Sequence, residues 1–347
     1  METKPLISVI IPVFNEESIV YNNLSEIYEY LSTLDNQYEF ELIVVNDGSS
    51  DKTGDLSDSF AKKHPKTRVI HHLVNLNLGN ALRTGFKHAK GYFTIVLDID
   101  LSYDVTHIER LLDTINITQA DIVLASPYMP GGKVTAVPFV RKLLSKWANR
   151  FLRIAAQENF FTYTCMVRAY KTEFLQSMNL KTKDYEISPE ILYKAMILRA
   201  RIIEIPAHLD WSRQITQKSK RTSNMKIIGN FFSSMMSGFI YRPYIYFIGT
   251  GLVFLVISLY IIVWIFINTF IMMSELSSIP EFYGDLFTYA VAEVFRGRPY
   301  SFFVGGFTFI TAIQFLSLGF IALQNKRYFE ELFHISTTIL KTKLKNT

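Results

Sequence analysis

The 347-residue sequence predicts an α/β fold: a mostly parallel sheet covered on both faces, followed by an amphipathic juxtamembrane helix and two transmembrane helices. Three observations lead there. Short Val- and Ile-rich runs alternate with stretches of helical spacing over the first 210 residues, the pattern of a buried parallel sheet. Pro243–Ser274 and Pro299–Asn325 contain no Asp, Glu, Lys, Arg or His. A helix crosses a hydrocarbon core of about 30 Å with about 20 apolar residues, so both stretches suffice. Between sheet and spans lies Trp211–Arg242, with six basic residues and no acidic one.

The strands follow in order. LISVII from Leu6, FELIVV from Phe40, TRVIHHLV from Thr67, YFTIVLD from Tyr92 and ADIVLA from Ala120 are apolar runs mostly too short for helices. Glu16–Leu34, Lys52–Lys63, Leu78–Ala89 and Val105–Ile115 alternate with them at helical spacing. In such sheets ligands sit beyond the carboxyl ends of the strands. Polar residues collect there: the first run ends in PVFNEE, the second in NDGSSD and the fourth in DID. One such Asp is an ordinary cap or turn residue. Three acidic strand ends on one rim need a cation or ligand to offset their repulsion. Asp98 and Asp100 form a D-x-D pair, and two hard oxygen donors suit Mg²⁺ or Mn²⁺.

Composition narrows the class. With 49% hydrophobic residues, 28 Phe and 19 Tyr, the chain can build a core, which excludes a disordered or collagen-like protein. The uncharged stretches exclude a freely soluble two-domain enzyme. The net charge of +5 is concentrated in blocks: Gly131–Arg153 also carries six basic residues and no acidic one. Beside two spans, such blocks point to anionic lipid or a phosphorylated ligand and away from nucleic acid. The single cysteine, Cys165, forbids an intramolecular disulfide, suits a reducing compartment, and reads as a buried structural thiol. No signal peptide is visible, since the first apolar run is broken by Pro12 and followed by Glu16 and Glu17. The tail from Lys326 carries five Lys or Arg, whereas the connection between the spans has only Arg296 and Arg298. The positive-inside rule then predicts that the large sheet domain and the tail lie on the cytoplasmic side of an inner membrane. The expected divisions are 1–212 for the sheet domain, 213–243 for the juxtamembrane segment, 244–273 and 300–325 for the spans, 274–299 for an external connection, and 326–347 for the tail.

The ordered set SVIIPVFNEE, VVNDGSSD, NLGNALRTGFKHAKG and VLDIDLS resembles family 2 glycosyltransferases of the GT-A, Rossmann-like fold. YMPGGKV, VPFVRKLLSKWANRFLR, HLDWSR and the two spans are similar to the polyprenyl-phosphate branch, which includes dolichyl-phosphate mannose synthases and bacterial undecaprenyl-phosphate glucosyltransferases. The resemblance implies a nucleotide sugar as donor and a polyprenyl phosphate as acceptor. It places Pro12, Phe14 and Glu16 against the nucleotide and gives Asp47 a hydrogen bond from the base, with Asn46 standing where the family often has Asp. Asp98 would bridge nucleotide and metal, and Asp100 would ligate the metal. Ser102 stands where the mannose synthases have Gln, which leaves the third protein ligand open. Glu190 matches an acidic position near the sugar, and a structural ion pair is the competing reading. Ser188 is the expected cap of its helix.

On the acceptor side, helical spacing puts Arg141 and Ser145 one turn apart on one face. Arg grips phosphate bidentately and Ser donates a hydrogen bond, so the pair makes a phosphate clasp, with Lys133 of the same basic block beside it. A basic amphipathic helix on the membrane surface is the other reading of this stretch, and the two are compatible. Arg213, Lys218 and Lys220 match a basic segment that the resemblance closes over the donor diphosphate; an ordinary positive flank is the alternative. Pro127, Thr162 and Met166 depart from the mannose-synthase pattern of Arg, Asp and Gly. Two other functions compete: transfer to a hydroxyl acceptor, for which no Q-x-x-R-W motif is visible, and a nonenzymatic nucleotide-sugar-binding scaffold. Gly249, Gly251, Gly305 and Gly306 would permit close helix packing and a homo-oligomer through the spans.

Overall fold

The computed structural model describes residues 4–155, 159–216, 242–276 and 283–345. Its contacts divide the chain into one unit of residues 1–238 with 330–347 and a second of residues 239–329.

The first unit is built on a seven-stranded sheet. In chain order the strands are β1 (Leu6–Val13), β2 (Glu39–Asn46), β3 (Thr67–His71), β4 (Phe93–Val96), β5 (Ile122–Ser126), β6 (Lys133–Thr135), β7 (Arg168–Lys171), β8 (Ile202–Pro206) and β9 (His208–Asp210). The large sheet runs β3-β2-β1-β4-β7-β5-β8, and β6 pairs with β9 apart from it. All its pairings are parallel except those of β7, which runs antiparallel to both β4 and β5. Helices α1 (Val20–Thr33), α2 (Thr53–Lys63), α3 (Leu78–His88) and α4 (His107–Thr118) connect the early strands. Ile7, Val9, Ile10 and Ile11 of β1 are wholly buried because both sheet faces are covered, and for that reason the strand reads as a continuous apolar run. Each such side chain contributes about 1.5–3 kcal/mol through burial.

All five expected strands are present. The third is shorter than TRVIHHLV suggests: pairing stops at His71, and Leu73 and Val74 are exposed. The first helix begins at Val20, not Glu16, because the Glu16 carbonyl closes a turn by accepting from the Ile19 and Val20 amides. After β6 come α5 (Phe139–Ala155), α6 (Thr172–Ser177), α7 (Ile187–Ile197) and α8 (Ser212–Thr216). Ser188 is not the cap of α7: the helix starts at Ile187 behind Glu186, which leaves Ser188 inside the first turn.

The second unit contains α9 (Pro243–Glu275), α10 (Leu286–Gly297) and the start of α11 (Pro299–Lys345). Pro243–Glu275 and Pro299–Ile339 have mean hydropathies of 2.7 and 1.8 and bury little of their surface, so they are candidate membrane spans rather than core helices. Their close packing uses glycine, though only in part at the expected places. A Cβ on Gly251 would lie 2.9 Å from Leu316, one on Gly305 2.9 Å from Ile261, and one on Gly319 2.6 Å from Ile248. Gly249 and Gly306 meet nothing. Ser258 donates to the Gly305 carbonyl across the same contact, at 3.2 Å. The expected juxtamembrane helix falls almost wholly on residues 217–241, outside those described.

Candidate active site

The carboxyl ends of β1, β2 and β4 carry the polar loops, and the first two loops are laced together. Ser50 N donates to Asn15 Oδ1 at 2.8 Å and Asn15 N to Ser49 Oγ at 3.0 Å. Glu16 N donates to Thr53 Oγ1 at 2.7 Å, and Lys52 N to Glu17 Oε2 at 3.1 Å. Asn15 adopts a positive φ of 54° in this turn. Glu16 is thereby fixed at the rim, Pro12 lies near the end of β1, and Phe14 stands 42% exposed between them. The NDG turn needs its glycine: Gly48 has φ +68°, and a Cβ there would lie 2.3 Å from the Val74 carbonyl carbon.

Asn46 and Asp47 are each held by a histidine from the end of β3. Asn46 Nδ2 lies 3.0 Å from His71 Nδ1. Asp47 Oδ1 accepts from His72 Nδ1 at 2.7 Å and from Leu76 N at 3.0 Å. A carboxylate only accepts, so His72 donates from Nδ1, and its Nε2 lies 2.9 Å from the Thr84 hydroxyl. The pair HH in TRVIHHLV was the available signal for these two residues.

Asp98 and Asp100 leave β4 in a tight turn, with Leu101 at φ +49°. Both are half-buried. Burial and the neighbouring Asp100 charge push the Asp98 carboxyl well above its ordinary range. Burial raises Asp100 too, opposed by hydrogen bonds from Ser102 and by the Arg141 charge. Ser102 N donates to Asp100 Oδ1 at 3.0 Å, and Gln214 Nε2 donates to Oδ2 at 2.7 Å. Ser102 therefore steadies Asp100. Among the described residues no three His, Cys, Asp or Glu side chains gather, so the protein offers a carboxylate pair. That pair fits Mg²⁺ or Mn²⁺, which use one or two carboxylates and complete their shell with water and substrate phosphate.

Arg141, from α5, reaches the same place. Its guanidinium lies 4.0 Å over the Trp211 ring, and the Asp100, Tyr185 and Tyr128 groups act on its charge. Ser145 hydrogen-bonds to Tyr128, which ties the second clasp residue to the same cluster. The sequence that builds this rim matches glycosyl transferase family 2 over residues 8–178. The dolichol-phosphate mannosyltransferase of Pyrococcus furiosus is 32% identical over 209 residues, 58% of this chain and 55% of that one. The chain thus spans little more than half the length of that relative. The undecaprenyl-phosphate mannosyltransferase of Micrococcus luteus is 30% identical over 203 residues, which cover 57% of this chain and 80% of that protein. The chain belongs to glycosyl transferase family 2. Its GT-A fold is shared with glucosyl-3-phosphoglycerate synthase from Mycobacterium tuberculosis, at a TM-score of 0.51 and 16% identity over 68% of this chain and 79% of that one. That synthase was crystallised with Mn²⁺, UDP-glucose and phosphoglyceric acid.

Within this family framework, the other expected residues are placed unequally. Lys133 is exposed on β6. Arg213 forms an exposed ion pair with Glu26 of α1 at 2.9 Å. Lys218 and Lys220 lie outside the described residues. Glu190 is 2% exposed, and its oxygens are engaged: they accept from Lys181 N at 2.8 Å, Thr182 N at 2.9 Å, Thr182 Oγ1, and the Lys194 ammonium. Burial alone would raise its carboxyl, but the Lys194 and Thr182 hydrogen bonds hold it below the ordinary value. This geometry matches the ion-pair reading of Glu190.

Sequence reasoning overlooked several members of the site. Tyr185 and Asp184 sit in the loop before α7, where Tyr185 feels the Asp98, Asp100 and Arg141 charges and Asp184 feels Asp47. Asn149 anchors α5: its Oδ1 accepts from Tyr163 N at 2.6 Å, and its Nδ2 donates to Thr164 Oγ1 at 3.1 Å. One of the departures has a visible partner. The Thr162 hydroxyl pairs with that of Ser126 at 2.6 Å in a buried site, so this neutral side chain is satisfied by another hydroxyl. Burial pushes the Cys165 thiol up to about 11, which keeps it protonated and out of nucleophilic chemistry at neutral pH.

Proposed function

We propose that this protein transfers a hexose, with inversion, from a nucleotide sugar to a polyprenyl phosphate at the cytoplasmic face of a membrane. The observation that carries the reading is the convergence of Arg141 on the Asp98–Asp100 rim. The helix bearing it exposes Phe139, Val140, Leu143 and Trp147, an apolar surface suited to lipid beside a phosphate clasp. The relatives' names support the same acceptor class: one acts with dolichol phosphate, the other with undecaprenyl phosphate.

The chemistry follows from the acceptor. A phosphate monoester has its second pKa near ~6 and is mostly a dianion at pH 7, so the nucleophile needs no strong general base. Its oxygen attacks the anomeric carbon, the bond to the nucleotide diphosphate breaks, and configuration inverts. Arg141 and Ser145 hold and orient the attacking phosphate. Asp47, steadied by His72, accepts from the base, while Pro12, Phe14 and Glu16 form the nucleotide wall. Asp98 and Asp100 would hold Mg²⁺ or Mn²⁺, whose charge offsets that of the leaving diphosphate. The two candidate spans would anchor the chain in the bilayer that holds a polyprenyl phosphate, and the lysine-rich tail favours the cytoplasmic side.

Membranes containing the protein, supplied with labelled UDP-glucose, GDP-mannose or UDP-N-acetylglucosamine and polyprenyl phosphates of several lengths, should form a labelled glycolipid with one donor. No product from any combination sinks the proposal. Label entering a polysaccharide instead would favour a hydroxyl acceptor.

A further inference from the structure

Asp100 and Arg141 come from distant parts of the chain, yet one short turn touches both. Trp211 lies under the Arg141 guanidinium, ring centroid 4.0 Å away. Three residues on, Gln214 donates its side-chain amide to Asp100 Oδ2 at 2.7 Å. The turn between them is closed by Gln214 N donating to Trp211 O at 3.1 Å. It is also anchored at its entry: Asp210 N donates to Ser102 O at 2.8 Å, and Trp211 N to Thr135 O at 3.1 Å. Ser212 N and Oγ both donate to Asp210 Oδ1, at 2.9 and 2.6 Å. Two bonds thus fasten the entry to flanking backbone, and two side chains extend from the turn, one to each half of the site.

We infer that Trp211–Gln214 is a strut that sets the metal-binding carboxylate and the acceptor-binding arginine in register. Gln214 and Trp211 are positioning residues. Gln214 fixes the Asp100 carboxylate at Oδ2, while the Ser102 amide holds Oδ1. Trp211 holds Arg141 by its ring face, where the flat guanidinium keeps its N–H edge directed at a phosphate. Residues that orient a metal ligand affect metal affinity nearly as much as ligands do, typically by about 10–100-fold. The inference rests on the proposed transferase reading for its acceptor arm, whereas its metal arm stands on Asp100 alone.

The test uses full-length protein in nanodiscs. Mn²⁺ binding is read from the free-ion EPR signal without substrates, and KM values come from the labelled-lipid assay. Gln214→Met, which keeps the size and removes the amide, should weaken Mn²⁺ binding by about tenfold. Trp211→Leu should raise the KM for polyprenyl phosphate several-fold with kcat less affected, and Trp211→Phe, which retains a ring, should restore it. In the double variant the effects on acceptor KM should be non-additive, because one turn transmits both. Unchanged Mn²⁺ affinity in Gln214→Met overturns the metal arm, as does a wild-type protein that binds no Mn²⁺. Leu and Phe at position 211 behaving alike overturns the acceptor arm. Wild-type protein that binds Mn²⁺ but transfers no sugar removes the transferase reading and the acceptor arm with it, while the Gln214 comparison still decides the metal arm. Thermal unfolding of each variant separates loss of fold from loss of register.

Discussion

The two halves of the active site are built differently. On the nucleotide side, the loops after β1 and β2 bind each other through Asn15, Glu16, Glu17 and Thr53, and Asp47 is fixed by His72 and Leu76. On the acceptor side, α5 is held by Asn149 and by the stacking of Arg141 on Trp211, and much of its outer face is exposed apolar surface. In the proposed reading, the donor groove rests on these bonds within the protein. On the acceptor side α5 presents exposed Phe139, Val140, Leu143 and Trp147 to a lipid, so acceptor affinity should depend on fewer protein bonds and on the bilayer.

The carboxylate pair belongs to both halves, and its loss should cause the largest change. Asp98→Asn with Asp100→Asn should lower turnover by at least ~10³-fold, since charge compensation at the leaving group is the largest electrostatic contribution asked of the site. Stability should hold or rise, because burial and mutual repulsion already disfavour the two charges. A melting curve beside the glycolipid assay checks both; normal turnover would remove the metal role.

Glu190 separates scaffold from groove. Glu190→Gln leaves the buried Lys194 without its counter-charge, with the Asn179 carbonyl still accepting from it, and should cost about 3 kcal/mol of stability. Turnover of the folded fraction should fall far less, whereas a direct sugar contact would lose kcat at unchanged stability. The pH dependence has a definite sign. Glu190 is held below its ordinary pKa in the folded protein, so its contribution is full above the ordinary carboxylate range and is lost as pH falls through the lower folded value. The gap in melting temperature between the two proteins should therefore close below about pH 4.

Arg141 tests the open half. Arg141→Ala should raise the KM for polyprenyl phosphate by roughly 30-fold, the equivalent of about 2 kcal/mol for a charged hydrogen bond, and leave nucleotide affinity within a factor of about two. Arg141→Lys should recover only part, because a lysine neither forks nor stacks flat on Trp211. Equal losses on both substrates would mean that the halves are not separate.

The difference between the halves also governs what could be read beforehand. Strands β1, β2 and β4 were legible because burial on both faces makes each an unbroken Val/Ile run, and their polar ends marked the rim. β7 was not legible: Arg168–Lys171 is four residues long, carries a fully buried arginine, and is placed by pairing with β4 and β5 rather than by its own pattern. Arg141 and Ser145 could be found from helical spacing. Tyr185, Trp211 and Gln214 could not, because loop and turn residues have no period, and only the tertiary fold shows that they meet Asp100 and Arg141. Glu190 shows the limit of matching by position, since a carboxylate can stand at an acidic position and be used up by Lys194 and Thr182.

The smallest expected effect probes the closed half most directly. His72 does not face a reacting bond; it sets which oxygen of Asp47 is free. Its Nδ1 and the Leu76 amide both occupy Oδ1, and Oδ2 accepts no hydrogen bond among the described residues. His72→Phe keeps the volume and removes one donor and the link to Thr84. Leu76 N still holds the carboxylate, so the loss should be that of one charged hydrogen bond, about 1–1.5 kcal/mol, or a donor KM raised roughly fivefold to tenfold. The acceptor KM should stay within a factor of about two, because among the described residues the hydrogen bonds of the Asp47 network do not extend to α5. Isothermal titration of the nucleoside diphosphate against both proteins measures the first effect, and the glycolipid assay measures the second. A change in acceptor KM as large as that in donor KM would show that the lacing of the nucleotide half extends to the acceptor helix.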